Sequence, residues 1–133
     1  MNRRIYYGLI PLILAFLAIG CATAGPGKTL GVKFNTVALL DNGLDLKVKA
    51  QTTNAKRTPT GTVEAWAVLK NLTGEQVMVE GRVWFFDQEE QPVEGPTAWK
   101  RLFIPPNSMA TYRENSTKVM EVGYYYIEVR EGR

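Results

Sequence analysis

Hydrophobic and polar residues alternate most clearly through residues 63–87, VEAWAVLKNLTGEQVMVEGRVWFFD. In the first run Val63, Ala65, Ala67 and Leu69 share one face, and Glu64, Trp66, Val68 and Lys70 share the other. In the second run Val77, Val79, Gly81, Val83 and Phe85 oppose Met78, Glu80, Arg82, Trp84 and Phe86. Side chains along a strand alternate with a period of two, so both runs read as half-buried strands. Between them Leu72-Thr73-Gly74 fits a three-residue loop with glycine at positive φ, which predicts an antiparallel hairpin.

The same reading extends in both directions. Residues 32–40 predict a first strand, and Asp41-Asn42-Gly43 a turn in which glycine takes positive φ. In residues 44–52, Leu44, Leu46, Val48 and Ala50 alternate with Asp45, Lys47, Lys49 and Gln51, which predicts an amphipathic strand. Residues 53–61 read as a polar loop. Beyond the central pair, 97–104 predicts a strand that Pro105-Pro106 ends, because proline cannot donate to a ladder. Residues 109–113 predict a short strand, and 115–119 a polar connection. In 121–130, Tyr125, Ile127 and Val129 share one face, opposite Tyr124, Tyr126, Glu128 and Arg130. About seven strands at regular spacing, with turn signals between them and no convincing helix, predict an all-β sandwich of immunoglobulin-like type.

The N-terminus follows a different pattern. Arg3 and Arg4 precede an apolar stretch over residues 5–17, then Ala18-Ile19-Gly20-Cys21. That is the layout of a cleavable export signal, and the apolar part is short for a membrane span, which takes about 20 residues. Cys21, the only cysteine among 133 residues, directly follows the small-residue tail. This placement resembles a bacterial lipobox, which implies cleavage before Cys21 and lipidation of its sulfur. Several acyl chains on one residue hold a protein firmly, whereas one binds marginally. Ala22 follows the cysteine, which resembles the outer-membrane class of such lipoproteins. The expected organisation is a signal peptide over 1–20, a lipidated cysteine with a glycine-rich tether over 21–31, and a β-sandwich over 32–133.

Charge then loses its first meaning. The whole chain carries +3. Cleavage before Cys21 removes Arg3 and Arg4, leaving 14 basic residues of the original 16 against 13 acidic ones. The remaining basic residues are scattered, with Lys56-Arg57 and Lys100-Arg101 as the longest runs, so a nucleic-acid partner is not expected.

Little in the sequence points to catalysis. There is no histidine, the commonest general base at neutral pH and the commonest metal ligand. Ser108 and Ser116 lack an activating partner at a useful spacing. Asp87, Glu89, Glu90 and Glu94 cluster, but without the glycine-centred spacing of a calcium loop, and read as a solvated acidic turn. Gly27-Lys28-Thr29 has Ala22 where a phosphate-binding loop needs its first glycine. No cofactor, metal or catalytic residue is expected. The aromatic residues are the stronger signal. Trp66, Trp84 and Phe86 fall on the charge-bearing face beside Glu80 and Arg82, and Tyr124 and Tyr126 extend it. One reading is a covered face with arginine stacked on tryptophan for stability. The other is an interaction patch of Trp66, Arg82, Trp84, Phe86, Tyr124 and Tyr126, rimmed by charge.

Over residues 62–130 the chain resembles the YcfL-type family of small bacterial envelope lipoproteins. The resemblance rests on Ala67-Val68-Leu69-Lys70-Asn71, on Glu80-Gly81-Arg82-Val83-Trp84-Phe85-Phe86-Asp87, on Trp99-Lys100-Arg101-Leu102, on the Pro105-Pro106 break and on the last strand. It implies a β-sandwich lipoprotein and no catalytic residues. The leading expectation is a non-catalytic binding or scaffold module, anchored in the membrane through Cys21 on the periplasmic side of the outer membrane. Its partner is expected to be another envelope protein, met by the aromatic face or by an exposed edge strand. Alternatives are a regulator of a peptidoglycan-synthesis enzyme, a secretion-apparatus lipoprotein and, less favoured, a hydrolase.

Overall fold

The structure is a computed structural model, and it describes residues 33–133. The expected signal peptide, Cys21 and the tether over 21–31 lie outside the described residues. Seven strands and one helical turn follow one another: β1 (Thr36–Leu39), α1 (Leu44–Lys47), β2 (Val48–Arg57), β3 (Val63–Asn71), β4 (Val77–Phe86), β5 (Lys100–Ile104), β6 (Met109–Asn115) and β7 (Tyr124–Glu131). They form a four-stranded sheet in the order β1-β7-β4-β5 and a three-stranded sheet in the order β2-β3-β6. The expected all-β sandwich is therefore present. The strand order differs from that of immunoglobulin constant domains, which place their first, second, fifth and fourth strands in one sheet. Here β1 instead lies parallel to β7, pairing Thr36 with Tyr126 through Leu39 with Val129.

The core is built from the inward faces that alternation marks. Val63, Ala65, Ala67 and Leu69 of β3 are buried, as are Val79, Val83 and Phe85 of β4 and Tyr125, Ile127 and Val129 of β7. Burying one such aliphatic or aromatic side chain contributes on the order of 2 kcal/mol.

The predicted hairpin between β3 and β4 does not form. β3 pairs with β2 and β6, and β4 pairs with β5 and β7, so the two runs face each other across the core instead of lying side by side. Alternation is identical in the two arrangements, and packing apolar face against apolar face buries both. Gly74 does not take positive φ; among glycines of the described residues only Gly43 and Gly61 do. The crossing is tied instead by Asn71, which is fully buried. Its amide nitrogen donates to the carbonyls of Glu75 (2.6 Å), Ile104 (3.0 Å) and Pro105 (3.1 Å), and its oxygen accepts from the backbone and hydroxyl of Thr73, both at 2.8 Å.

The expected strand over 44–52 is also corrected at its start. Gly43 takes φ 82° as the turn required, but the chain then makes one helical turn, with Leu46 N–H donating to Gly43 at 3.1 Å. That turn carries the chain from one sheet to the other and rotates Leu46 to 76 % exposure, while Leu44 stays buried. β2 then runs on to Arg57, through residues expected to be loop, with a bulge between Ala50 and Thr52.

The two sheets approach closely at one point. A Cβ on Gly81 would stand 2.7 Å from two carbons of the Tyr112 ring, so only glycine lets β4 pass beneath that ring. Elsewhere residues 88–99 fold back along β4. Val93 and Thr97 donate to Phe85 (3.0 Å) and Val83 (2.9 Å), occupying the edge that the short β5 leaves uncovered.

Candidate functional site

The outward face of the four-stranded sheet carries an interleaved row of arginine, tryptophan and glutamate. The register of β4 against β7 sets Glu80 opposite Arg130, Arg82 opposite Glu128, Trp84 opposite Tyr126 and Phe86 opposite Tyr124. Opposite charges directly across an antiparallel pair attract. Arg82 pairs with Glu128 through its Nε, and Trp84 donates its indole N–H to the same carboxylate at 3.1 Å. Arg130 donates to Glu80 Oε2 from Nε (2.9 Å) and Nη2 (2.8 Å), a two-pronged contact only arginine can make. Arg101 of β5 approaches the other oxygen of Glu80 at 3.6 Å. Glu80 itself is buried at 8 % exposure, which its cationic neighbours make tolerable.

Trp99 completes the row from outside any strand. Its ring contacts two guanidinium groups, with Arg130 4.0 Å and Arg82 4.5 Å from the centroid. Arg82 also sits 5.6 Å from the Trp84 ring. Each such cation–π contact is worth roughly 0.5–2 kcal/mol, more as it is desolvated. Burial raises the hydroxyl pKa of the adjoining Tyr126, and the charge of Glu128 raises it further.

The six residues expected to form one patch are divided by the fold. Arg82, Trp84 and Tyr126 share the row just described. Phe86 and Tyr124 lie at one end of the same sheet, where Phe34 covers them with ring centroids at 4.9 and 5.1 Å, and Phe86 is buried. Trp66 is on the outward face of the other sheet, opposite Asn54 and Arg113. There Arg113 lies 5.7 Å from its ring and pairs with Glu64 at 2.8 Å. Neither Arg82 nor Glu80 is its neighbour, because β3 and β4 belong to different sheets. Sequence reasoning passed over Trp99 as a site residue, and no alternation marks it. Arg130 was legible as part of the outward set of β7.

The serines and the acidic cluster have structural work. Ser116 is buried, accepts from Val63 N–H at 2.9 Å and donates to the Lys118 carbonyl at 3.1 Å. Ser108 donates to the Pro106 carbonyl at 3.1 Å. Asp87 Oδ1 accepts from the backbone of Glu89 and Gln91, both at 2.9 Å, and so closes the acidic turn. Among the described residues no three acidic, cysteine or histidine side chains are gathered as a metal site would need.

Comparison with solved structures finds the same fold in two bacterial proteins. Campylobacter jejuni cj0090 aligns with a TM-score of 0.57 at 16% identity, covering 74% of this chain and 99% of that one. A DUF1425 family member from Shewanella sp. pv-4 aligns with a TM-score of 0.57 at 15% identity, covering 65% of this chain and 79% of its own. No family model and no curated protein sequence matches. What the chain is shown to share with these two bacterial proteins is the β-sandwich itself.

Proposed function

We propose that this chain is a lipid-anchored, non-catalytic binding module of the bacterial envelope, held through Cys21 at the periplasmic side of the outer membrane. It engages a protein of the same compartment with the outward face of the β1-β7-β4-β5 sheet. The observation that carries the reading is Trp99 in contact with both Arg82 and Arg130, with Trp84 and Tyr126 on the same sheet face. Tryptophan, tyrosine and arginine are the residues that dominate binding energy at protein interfaces. Here Arg82 and Trp84 are held by the Glu128 carboxylate and Arg130 by that of Glu80, so these side chains lose little conformational entropy on contact. The YcfL-type resemblance belongs to this proposal, and the fold shared with two bacterial proteins supports it.

The test is crosslinking and co-purification from native envelopes, comparing the natural chain with Trp99→Ala and Trp84→Ala. A partner recovered with the natural chain and lost with both variants is the expected result. Equal recovery with all three sinks the aromatic-face reading. The anchor is tested separately: mass spectrometry should find an acylated Cys21 at a processed N-terminus, and Cys21→Ser should release the protein from the membrane fraction.

A further inference from the structure

A second surface lies on the opposite side of β7 from the tryptophan row. Among the described residues β2 is the longest edge strand, ten residues, and no strand of those residues pairs with its outer edge. Its last five residues border a cleft of about 390 Å³ between the two sheets, closed on the far side by Asn35, Tyr124 and Tyr125. That volume is within the range of binding clefts.

The chemistry of this cleft is one-sided. Lys56 and Arg57 line it without an aspartate or glutamate in the lining; Glu64, 3.5 Å from the Lys56 ammonium, is drawn more closely to Arg113 at 2.8 Å, which leaves the exposed Lys56 open to a second carboxylate. Arg57 is fixed in place, donating to the carbonyls of Gly61 (2.7 Å) and Val122 (2.9 Å). Asn35 holds a left-handed backbone, φ 58°, with its N–H bonded to the Tyr125 carbonyl at 2.7 Å. On the strand itself, the N–H of Ala55 donates to the side-chain oxygen of its own neighbour Asn54 at 2.8 Å. That N–H is therefore directed away from β3 and is satisfied by a group that can swing aside. Lysines on a sheet edge ordinarily discourage pairing of like chains. The same charge, from Lys49 and Lys56 with Arg57, repels a second copy of β2 and favours a strand bearing acids.

We propose that the free edge of β2 and this cleft take up an extended acidic peptide segment, which adds to the sheet as a further strand. Backbone hydrogen bonds to the edge, including the Ala55 N–H once Asn54 releases it, supply affinity; Lys56 selects the acidic side chains on its face of the added strand, and Arg57 adds positive charge from the opposite face. The site shares no residue with the tryptophan row.

The experiment uses the full chain in detergent and a fluorescein-labelled octapeptide of alternating glutamate and threonine, with a lysine-for-glutamate peptide as control. Anisotropy should show saturable, salt-sensitive binding of the acidic peptide, at least tenfold tighter than the control. Hydrogen exchange should slow at residues 53–57. Ala55→Pro removes the edge N–H without touching the β3 ladder and should abolish binding. Lys56→Glu should weaken it at least tenfold and serves if the proline variant fails to fold. The proposal is overturned if the acidic peptide does not bind, if both peptides bind alike, or if Lys56→Glu leaves binding unchanged.

Discussion

Tyr112 of one sheet lies directly over Gly81 of the other, its ring carbons 2.7 Å from where a glycine Cβ would be. Gly81 has no positive φ, so its role is space and not backbone freedom. Gly81→Ala should therefore destabilise the fold by about 1–3 kcal/mol, the usual cost of overpacking a core. Chemical denaturation checks this. Tyr112→Leu in the same chain should recover part of the loss, because the shorter side chain vacates the space.

The Tyr112 hydroxyl carries a pH dependence. It is buried without a hydrogen-bond partner, and the nearby Thr97 hydroxyl already accepts from Val83 N–H at 2.9 Å. Burial pushes the phenol from 10.0 up to about 12; the Thr97 hydroxyl offsets part of the rise, and the charge of Glu114 adds a smaller amount to it. A pKa raised in the folded state means the folded chain holds the proton more tightly. The contribution is fully present below pH 10 and is lost as pH rises toward 12. The loss should amount to about 3 kcal/mol. Denaturation midpoints measured from pH 9 to 12 should fall for the natural chain. Tyr112→Phe should show a shallower fall, with a residual slope of the same sign from Tyr126, and at pH 7 should be more stable by about 1 kcal/mol, since it removes an unbonded polar group.

Asn71 holds the crossing between the sheets through one amide. Its partners come from residues 73–75 and from the end of β5, so a single substitution releases two loops. Asn71→Ala should cost roughly 2–4 kcal/mol, from several buried groups left unpaired. Asn71→Asp should cost more at pH 7, because a carboxylate then faces three carbonyl oxygens. Thermal melts of the three chains give the ranking.

The contacts of Trp99 with Arg82 and Arg130 predict coupling between residues far apart in sequence. In a double-mutant cycle, Trp99→Ala and Arg130→Ala should show a favourable interaction of about 0.5–1.5 kcal/mol. Arg113→Ala combined with Trp99→Ala should be additive, since Arg113 lies on the other sheet. Additivity in the first cycle would show that the stacking contributes no stability.

The patterns that were legible were those a strand carries within itself. Which of Val63, Ala65, Ala67 and Leu69 would be buried followed from period two alone, as did the outward placing of Arg82, Trp84, Glu128 and Arg130. Positive φ at Gly43 followed from its turn sequence. Residues 44–47 misled, because a single helical turn is too short to show its own period against the alternation around it.

Local pattern, then, determined how the chain divides into strands and which side of nearly every strand meets the core, since backbone pleating links side-chain direction to residue number with no reference to the rest of the molecule. Tertiary structure decided which strands are neighbours. β3 and β4 could have buried their apolar faces side by side or face to face with the same alternation. The choice was made by contacts between distant residues: Asn71 with the end of β5, Tyr112 over Gly81, and the pairing of β4 with β7. The tryptophan row exists only because of that choice. Arg82 and Arg130 are brought onto one face by β4–β7 pairing, and Trp99 reaches them from an irregular segment whose path only the assembled sheet directs.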